Sequence, residues 1–583
     1  MCGISGILNR SQIIADRDSQ IEIMLNTQHM RGPDSSQIVS ETNFTLAHNR
    51  LSIIDLNSTG NQPMESGDWL IVFNGEIYNY QEIKAQLELA GVQFNGSSDT
   101  EVLLKSIERD GIDQTLAKIN GIFAFCIYNK ISDEFYLVRD RLGEKPLFYY
   151  FDSAGSLYFA SNPSSIVNAL PNVEWILDRE ALWEYFAMGG IFTEKTLFSN
   201  IKRLDSASIL SGNNAEFTIS RYWTPQYQPN ITDSTIDTSI KESIMSRTIA
   251  DVPVVLFLSG GVDSSAVAAV IKDINAVHLI SPEVEYAQQV ANQFNIDFQI
   301  VTPESFDISK VLEEYATFSG EPTMAGFIPY ITSKYVSSDY KVAISANGAD
   351  ELFFGYTRIP TPNLRSGFFE KRLLNEKINI NGLSFSPSEQ ILHIFRHPSN
   401  FSIHILESTK TYADLTNLVE TIPKLSNDFP SSSQFRWLEL MTYVKGDLNN
   451  TLDFSSMANS LEVRAPFLDY KLIQNALSID ETRHISQKLG RKHFLKNILL
   501  RNNINQNVWN RDKLGFSLVD SYLESIIDLR NTAVLELSKE GILDIHCTEG
   551  HSSRDLEYLK SAALGFYHWK KVWVDTGKVK IEK

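Results

Sequence analysis

The chain has 583 residues and a formal net charge of -19, from 52 Lys+Arg against 71 Asp+Glu. That length exceeds what one hydrophobic core serves, so two or more domains are expected, and 43% hydrophobic with 21% charged residues is the make-up of a chain folded throughout. The acidic balance argues against a general nucleic-acid binder, which needs a basic footprint, and leaves a local nucleotide site open.

The first element is "MCGISGIL". The residue after Met1 is small, so removal of the methionine would leave Cys2 with a thiol and a free α-amine. That amine titrates near pH ~8, close enough to neutrality to act as the base for its own thiol. Next, "TLAHNRLSII" and "WLIVFNGEI" read as strands, and "YQEIKAQLELAG" as a helix stopped by Gly. "SDTEVLLKSIERDG" opens on a Ser/Asp cap and ends at Gly, another helix. "GIFAFCIYN", "EFYLVRD", "PLFYYFD" and "SLYFAS" follow as strands, making residues 1–205 an α+β domain. Residues 206–235 read as a strand pair and a Ser/Asn/Thr/Pro-rich linker. From 236 to 583 the pattern changes. A helix leads to the apolar "VPVVLFL", and strand–helix alternation continues through "AVHLI", "FQIV" and "YKVAIS". This predicts a doubly wound α/β domain, with a mostly helical part beyond about 358.

Three cysteines (Cys2, Cys126 and Cys547) are an odd, widely spaced set that builds neither a disulfide framework nor a CxxC metal site, so a reducing cytoplasm is the expected setting. Residues 1–30 lack the basic and apolar regions of a signal peptide, and no run approaches the ~20 apolar residues of a membrane span.

"LFLSGGVDSS" sits where a parallel strand ends and a helix begins. After Leu258, Gly260 and Gly261 let backbone N–H groups close around an anion. Ser259, Ser264 and Ser265 add hydroxyls, and the helix N-terminus adds its positive end. Asp263 puts a carboxylate beside the phosphates, which makes sense if Mg²⁺ bridges them. A plain Gly/Ser turn would not call for that Asp. The loop is neither GxxxxGK[ST] nor GxGxxG.

SGGxDS resembles the pyrophosphate loop of the ATP-pyrophosphatases, and the chain as a whole resembles the glutamine-hydrolysing asparagine synthetase family. The resemblance is weakest between about 359 and 435. It implies an N-terminal-nucleophile (αββα) glutaminase domain followed by a doubly wound ATP-pyrophosphatase domain. The implied reaction releases ammonia from glutamine and uses it to displace AMP from an acyl-adenylate. "MCGISGIL" then makes Cys2 the nucleophile, and "LAHNRLSIIDL" makes Arg50 the partner of the glutamine carboxylate. "FNGEIYNY" makes Asn74 and Gly75 the oxyanion hole and Glu76 a ligand of the glutamine amine, shared with Asp99 of "GSSDTE". "SANGADELFFGY" supplies Ser345 and Ala346 beside the nucleotide and Asp350 as a second Mg²⁺ carboxylate. "GRKHFLK" supplies a catalytic Lys492, a role that rests on the resemblance. "SSMANSLEVRAPFLDYKLI", with Glu462 and Arg464, is read as packing around the active site. "RDKLGF" at 511–516 matches a further segment near the nucleotide.

The departures fall at the acceptor end. Asn347 and Ala346 stand where the family has an acid and a Gly, Gly320 replaces an Asp, and Thr451 and Phe454 replace Lys and Arg. An Asn takes up no proton and attracts no cation. The expected partners are therefore ATP, Mg²⁺, glutamine and a carboxylate acceptor, with no nucleic acid or membrane and with a homodimer left open. The acceptor is aspartate or another carboxylate, such as a sugar uronate or a natural-product precursor. A ring-closing ligase and a non-catalytic nucleotide or glutamine sensor are the other readings. The intact Cys2 set argues against the first, and the intact catalytic residues of both sites argue against the second.

Overall fold

The computed structural model describes residues 1–9, 16–213, 216–302, 306–356, 402–406, 408–486, 488–511, 520–544 and 553–582. Cys547 and residues 512–516 of the expected nucleotide-side segment lie outside them.

The N-terminal strands are β1 (Gly3–Leu8), β2 (Ser35–Ser40), β3 (Phe44–Arg50), β4 (Met64–Ser66), β5 (Trp69–Ile77), β6 (Gly121–Asn129), β7 (Phe135–Arg139), β8 (Phe148–Phe151), β9 (Leu157–Ala160), β10 (Trp175–Ile176), β11 (Lys202–Arg203), β12 (Ser208–Gly212) and β13 (Phe217–Arg221). Twelve of them form two six-stranded antiparallel sheets, in the orders β11-β8-β9-β1-β3-β2 and β13-β12-β7-β6-β5-β4. Period-2 alternation explains the stacking. Ile4 and Leu8 of β1, Leu70 and Val72 of β5, and Ala124 and Cys126 of β6 fill the space between the sheets. The alternate residues Ile71, Phe73, Phe125 and Ile127 turn outward to a helical layer that includes Val102, Leu103 and Ile107 of the helix Asp99–Asp110. The helices Arg17–Thr27 and Pro163–Ala169 cover the other sheet, giving the expected four-layer αββα order. The strand pair read after residue 206 is β12–β13, and it extends the second sheet.

The remaining strands are β14 (Val254–Phe257), β15 (Asn275–Leu279), β16 (Phe298–Val301), β17 (Val342–Ile344), β18 (Ser402–Ile405), β19 (Ser408–Thr411), β20 (Glu462–Arg464) and β21 (Val579–Lys580). Five of them build an all-parallel sheet in the order β16-β15-β14-β17-β20. The chain winds outward from β14 to β16, then returns to place β17 on the other side of β14. The order therefore reverses between β14 and β17, and open α/β sheets bind ligands in the crevice at such a reversal. Beyond β17 the described chain is mostly helical, including Asn449–Met457, Tyr470–Leu477, His493–Arg501 and Ser553–Trp573. No helix among the described residues is long and apolar enough to cross a membrane.

The two domains share a closely packed seam. β21 pairs with β10 in parallel. Trp569 and Trp573 meet Phe198 with ring centroids 5.6 and 5.3 Å apart. Arg203 spans both oxygens of Glu321 at 2.7 and 2.5 Å, buried on both sides.

Candidate functional site

Two separate clusters collect the residues singled out in the sequence. The first surrounds Cys2, which leads into β1, a central strand of the first sheet. Its backbone N–H donates to Asn74 Oδ1, on β5 of the second sheet, at 3.0 Å. Asn74 is fully buried, and its Nδ2 has no hydrogen-bond partner among the described residues. A buried amide donor left unpaired is costly, and this one lies on the residue that holds Cys2. Gly75 follows, and only Gly fits there, because a Cβ would lie 2.1 Å from the Ile122 carbonyl oxygen. Glu76 and Asp99 are both buried. Asp99 opens its helix beside the Ser98 cap and accepts the Ile77 N–H at 2.9 Å. Burial pushes Asp99 up to about 6. Burial also pushes Glu76 up, against the pull of Arg464 beside it. Arg50 ends β3 with its guanidinium held by the carbonyl oxygens of Asn57 at 2.7 Å and of Asp55, and by Asn61 Oδ1 at 2.8 Å. Burial raises the Cys2 thiol, while the N-terminal ammonium, a Leu51 backbone hydrogen bond and Arg50 oppose it. Met1 is still attached, so the Cys2 nitrogen is an amide. The Met1 amine lies 2.8 Å from Glu462 Oε2, in the seam between the domains.

The second cluster stands at the reversal between β14 and β17. Leu258 leaves β14 with its N–H on the Val277 carbonyl oxygen at 2.9 Å and its own carbonyl 2.8 Å from His278 Nδ1. Gly260 adopts φ +76°, and a Cβ there would meet the Ala287 nitrogen at 2.5 Å. The Ser259 and Ser264 hydroxyls lie 2.9 Å apart, and the Gly261 N–H reaches Ser259 Oγ at 3.4 Å. Ser265 Oγ is buried without a hydrogen-bond partner among the described residues. Asp263 sits in the first turn of the helix Val262–Ile271, whose N-cap Gly261 offers no side-chain cap. On the β17 side the Ser345 N–H donates to the Arg464 carbonyl oxygen at 2.9 Å. Ala346 and Asn347 follow, with the Asn347 N–H 3.5 Å from Ser345 Oγ. Gly348 at φ +89° turns the chain into the short helix Ala349–Leu352 that carries Asp350.

Lys492 ties the two loops together. Its Nζ lies 2.7 and 2.6 Å from the Asp263 carboxylate oxygens and 2.5 Å from Asp350 Oδ1. Two carboxylates from two loops thus converge on one cation position. They form a hard oxygen pair suited to a divalent ion that takes its other oxygens from phosphates and water. No group of three or more His, Cys, Asp or Glu side chains placed to hold a metal occurs among the described residues.

Several residues noted in the sequence only as parts of matching segments gain a place here. A Cβ on Gly355 would lie 1.9 Å from Asp350 Oδ1 and 2.2 Å from Lys492 Cε, so the backbone itself backs this ion cluster. The signal was the Gly in "DELFFGY". Arg511 donates to the Gly260 carbonyl oxygen at 3.3 Å and pairs with Glu283 at 2.5 Å, bracing the phosphate loop. Arg31 of "RGPD" holds the Cys2 carbonyl oxygen at 3.0 Å and pairs across the seam with Asp453 at 2.9 Å.

Three of the departures lie elsewhere than expected. Gly320 ends a helix at φ +80°, and a Cβ there would meet the Ser164 nitrogen of the N-terminal domain at 2.8 Å. Phe454 stacks on Phe148 with centroids 6.3 Å apart. Thr451 bonds Asp447 Oδ1 at 3.0 Å and lines a cavity with Gly190 and Ile191. Gly320, Thr451 and Phe454 thus lie along the interdomain seam, while the departures Ala346 and Asn347 stand in the crevice beside Ser345.

Comparison with known proteins agrees with this division. The glutamine amidotransferase domain family matches residues 1–223, and the asparagine synthase family matches residues 235–568. Asparagine synthetase [glutamine-hydrolyzing] 1 of Bacillus subtilis is 30% identical, over 88% of this chain and 87% of that protein. Asparagine synthetase [glutamine-hydrolyzing] 3 of the same organism is 31% identical, over 82% and 81%. Asparagine synthetase B of Escherichia coli is 28% identical, over 61% of this chain and 65% of that protein. With both domains matched and with the phosphate loop and the Cys2 cluster each in its own domain, the chain belongs to the glutamine-hydrolysing asparagine synthetase family.

Proposed function

We propose that the protein makes asparagine from aspartate, with glutamine as nitrogen donor and ATP as activator. The observation that carries the reading is the convergence of Asp263, Asp350 and Lys492 at the sheet reversal, in one chain with the Cys2–Asn74 pair.

After removal of Met1, the Cys2 amine takes the thiol proton and the sulfur attacks the glutamine amide carbon. Asn74 Nδ2 and the Gly75 N–H receive the oxyanion. Arg50 faces the substrate carboxylate, and Glu76 with Asp99 face its ammonium. The amine returns its proton to the departing nitrogen, ammonia leaves, and water hydrolyses the thioester to glutamate. In the crevice, the N–H groups and hydroxyls of Ser259–Ser265 and of Ser345–Ala346 hold the nucleotide. The aspartate carboxylate displaces pyrophosphate from the α-phosphorus, Lys492 offsets charge on the phosphoryl oxygens, and ammonia then displaces AMP. Asp263 and Asp350 would hold Mg²⁺, which supplies charge neutralisation for the pyrophosphate when bound.

Free, buried Cys2 and Cys126 suit a reducing cytoplasmic setting. Light scattering decides between a monomer and the homodimer that the sequence leaves open.

The test is purified protein with ATP, Mg²⁺, glutamine and L-aspartate. Pyrophosphate and asparagine should appear in equal amounts. Cys2→Ala should lose the glutamine-supported product and keep the ammonia-supported one. Glutamine hydrolysis with neither product from aspartate would sink the aspartate reading. Asn347, in place of the family acid, would then direct the search to other carboxylates.

A further inference from the structure

The strand β20 belongs to the nucleotide-binding domain, yet it carries two buried charges. Alternation along "LEVRAP" puts Glu462 and Arg464 on one face. Both side chains are fully buried, with Arg464 Nε 2.5 Å from Glu462 Oε1. Arg464 Nη1 bonds the carbonyl oxygens of Arg247 and Ile249 at 3.0 and 2.6 Å. Its backbone is locked into the parallel sheet, with Ile344 as register partner and the Ser345 N–H on its carbonyl oxygen. The position of this guanidinium is therefore set by the second domain.

What it faces belongs to the first domain. Arg464 Nη2 lies 3.2 Å from Glu76 Oε1, across the seam. Among the described residues Arg464 Nη2 has no hydrogen-bond partner, and Glu462 Oε2 faces the Met1 amine at 2.8 Å. Burying charges this deeply is costly unless they serve one another, and removing one partner strands the rest. The Met1 amine on Glu462 shows that this corner accepts an ammonium group.

We propose that Arg464, held by Glu462, is a positioning residue of the glutamine site, aiming Glu76 at the substrate ammonium, so that the N-terminal domain alone lacks a complete pocket. This rests on the glutaminase reading above. The groups facing Glu76 are Arg464 and Glu462 from β20, Asp99 from its helix, and the Met1 ammonium, which leaves with that residue. Of these, Arg464 and the ammonium favour the Glu76 carboxylate, while Glu462 and Asp99 disfavour it. Loss of Arg464 raises Glu76 further, so the acid limb of the glutamine profile moves to higher pH. Lysine keeps the charge but lacks the fork that reaches Glu462, the two carbonyls and Glu76 together.

The experiment is steady-state glutamate formation from L-glutamine by the full-length chain, across pH, for the unmutated protein, Arg464→Met and Arg464→Lys. Arg464→Met should raise KM about tenfold with kcat changed less than about threefold, and shift the acid limb of kcat/KM upward by about one pH unit. Arg464→Lys should lie between, with the limb in place. A lower Tm with unchanged KM and unchanged limb would mean that Arg464 only braces the seam, and would overturn the proposal. If Arg464→Met does not fold, Arg464→Lys decides: a KM rise of about threefold supports the proposal, and an unchanged KM overturns it. Failure of the unmutated chain to hydrolyse glutamine would instead overturn the underlying glutaminase reading, and the proposal with it.

Discussion

Asn74 offers the sharpest test of the first cluster, because its two side-chain atoms have separable tasks. Oδ1 accepts the Cys2 N–H at 3.0 Å, and Nδ2 is buried with no hydrogen-bond partner among the described residues. If Nδ2 is an oxyanion donor, Asn74→Ala removes it together with the bond that orients Cys2. Loss of one such donor lowers kcat by about 100- to 1,000-fold, or about 3 to 4 kcal/mol. Asn74→Asp keeps an acceptor for the Cys2 N–H but puts an oxygen where the oxyanion must form, so it should lose at least as much. The assay is glutamate release from glutamine at saturation, with ammonia-dependent pyrophosphate release as the control for folding of the second domain. If Asn74→Asp retained kcat within about tenfold while Asn74→Ala did not, the residue would serve only to orient Cys2. If both stayed within about tenfold, Asn74 would have no part in the chemistry.

Three further outcomes are expected. Asp350→Asn removes one of the two carboxylates on the Lys492 position, and should abolish pyrophosphate release while glutamine hydrolysis persists; near-normal turnover would refute the metal assignment. Gly355→Ala forces a methyl group to 1.9 Å from Asp350 Oδ1, and should cut pyrophosphate release at least tenfold (about 1.4 kcal/mol of barrier) with Tm followed in parallel; an unaffected rate would mean that the loop yields at no cost. Asp99, raised to about 6 by burial, must be ionised to hold the substrate ammonium. Thus kcat/KM for glutamine should fall as pH drops through about 6, and a profile flat down to pH 5 would count against its role.

Much of the local structure was legible in the residues. "WLIVFNGEI" is β5 from end to end, with apolar side chains on both faces because it lies between the other sheet and the helical layer. The Ser98 cap and the Gly111 stop bound the helix Asp99–Asp110 as read. The phosphate loop sits between β14 and its helix, since two glycines and an uncapped helix start need no distant partner to be recognised. Glu462 and Arg464 were legible only as a well-matched segment. Nothing local to "LEVRAP" says that a buried Arg there will face Glu76 of another domain. The surroundings of Gly320 were illegible for the same reason. Nothing local to that Gly announces its left-handed backbone or the Ser164 nitrogen behind it.

The chain by itself determined the change of pattern between its two halves, the strand and helix periods, the thiol at Cys2 and the Gly/Ser loop that follows β14. These depend on side-chain pattern and backbone freedom over a few residues. Only the tertiary structure decided that Asp263, Asp350 and Lys492 share one cation position, and that β20 reaches across the seam to Glu76. Those contacts depend on strand order. The return of the chain from β16 to β17 brings two loops to one crevice, and it sets β20 at the sheet edge beside β17. Order within a sheet is settled by packing summed over the whole domain, and no local stretch of sequence carries it.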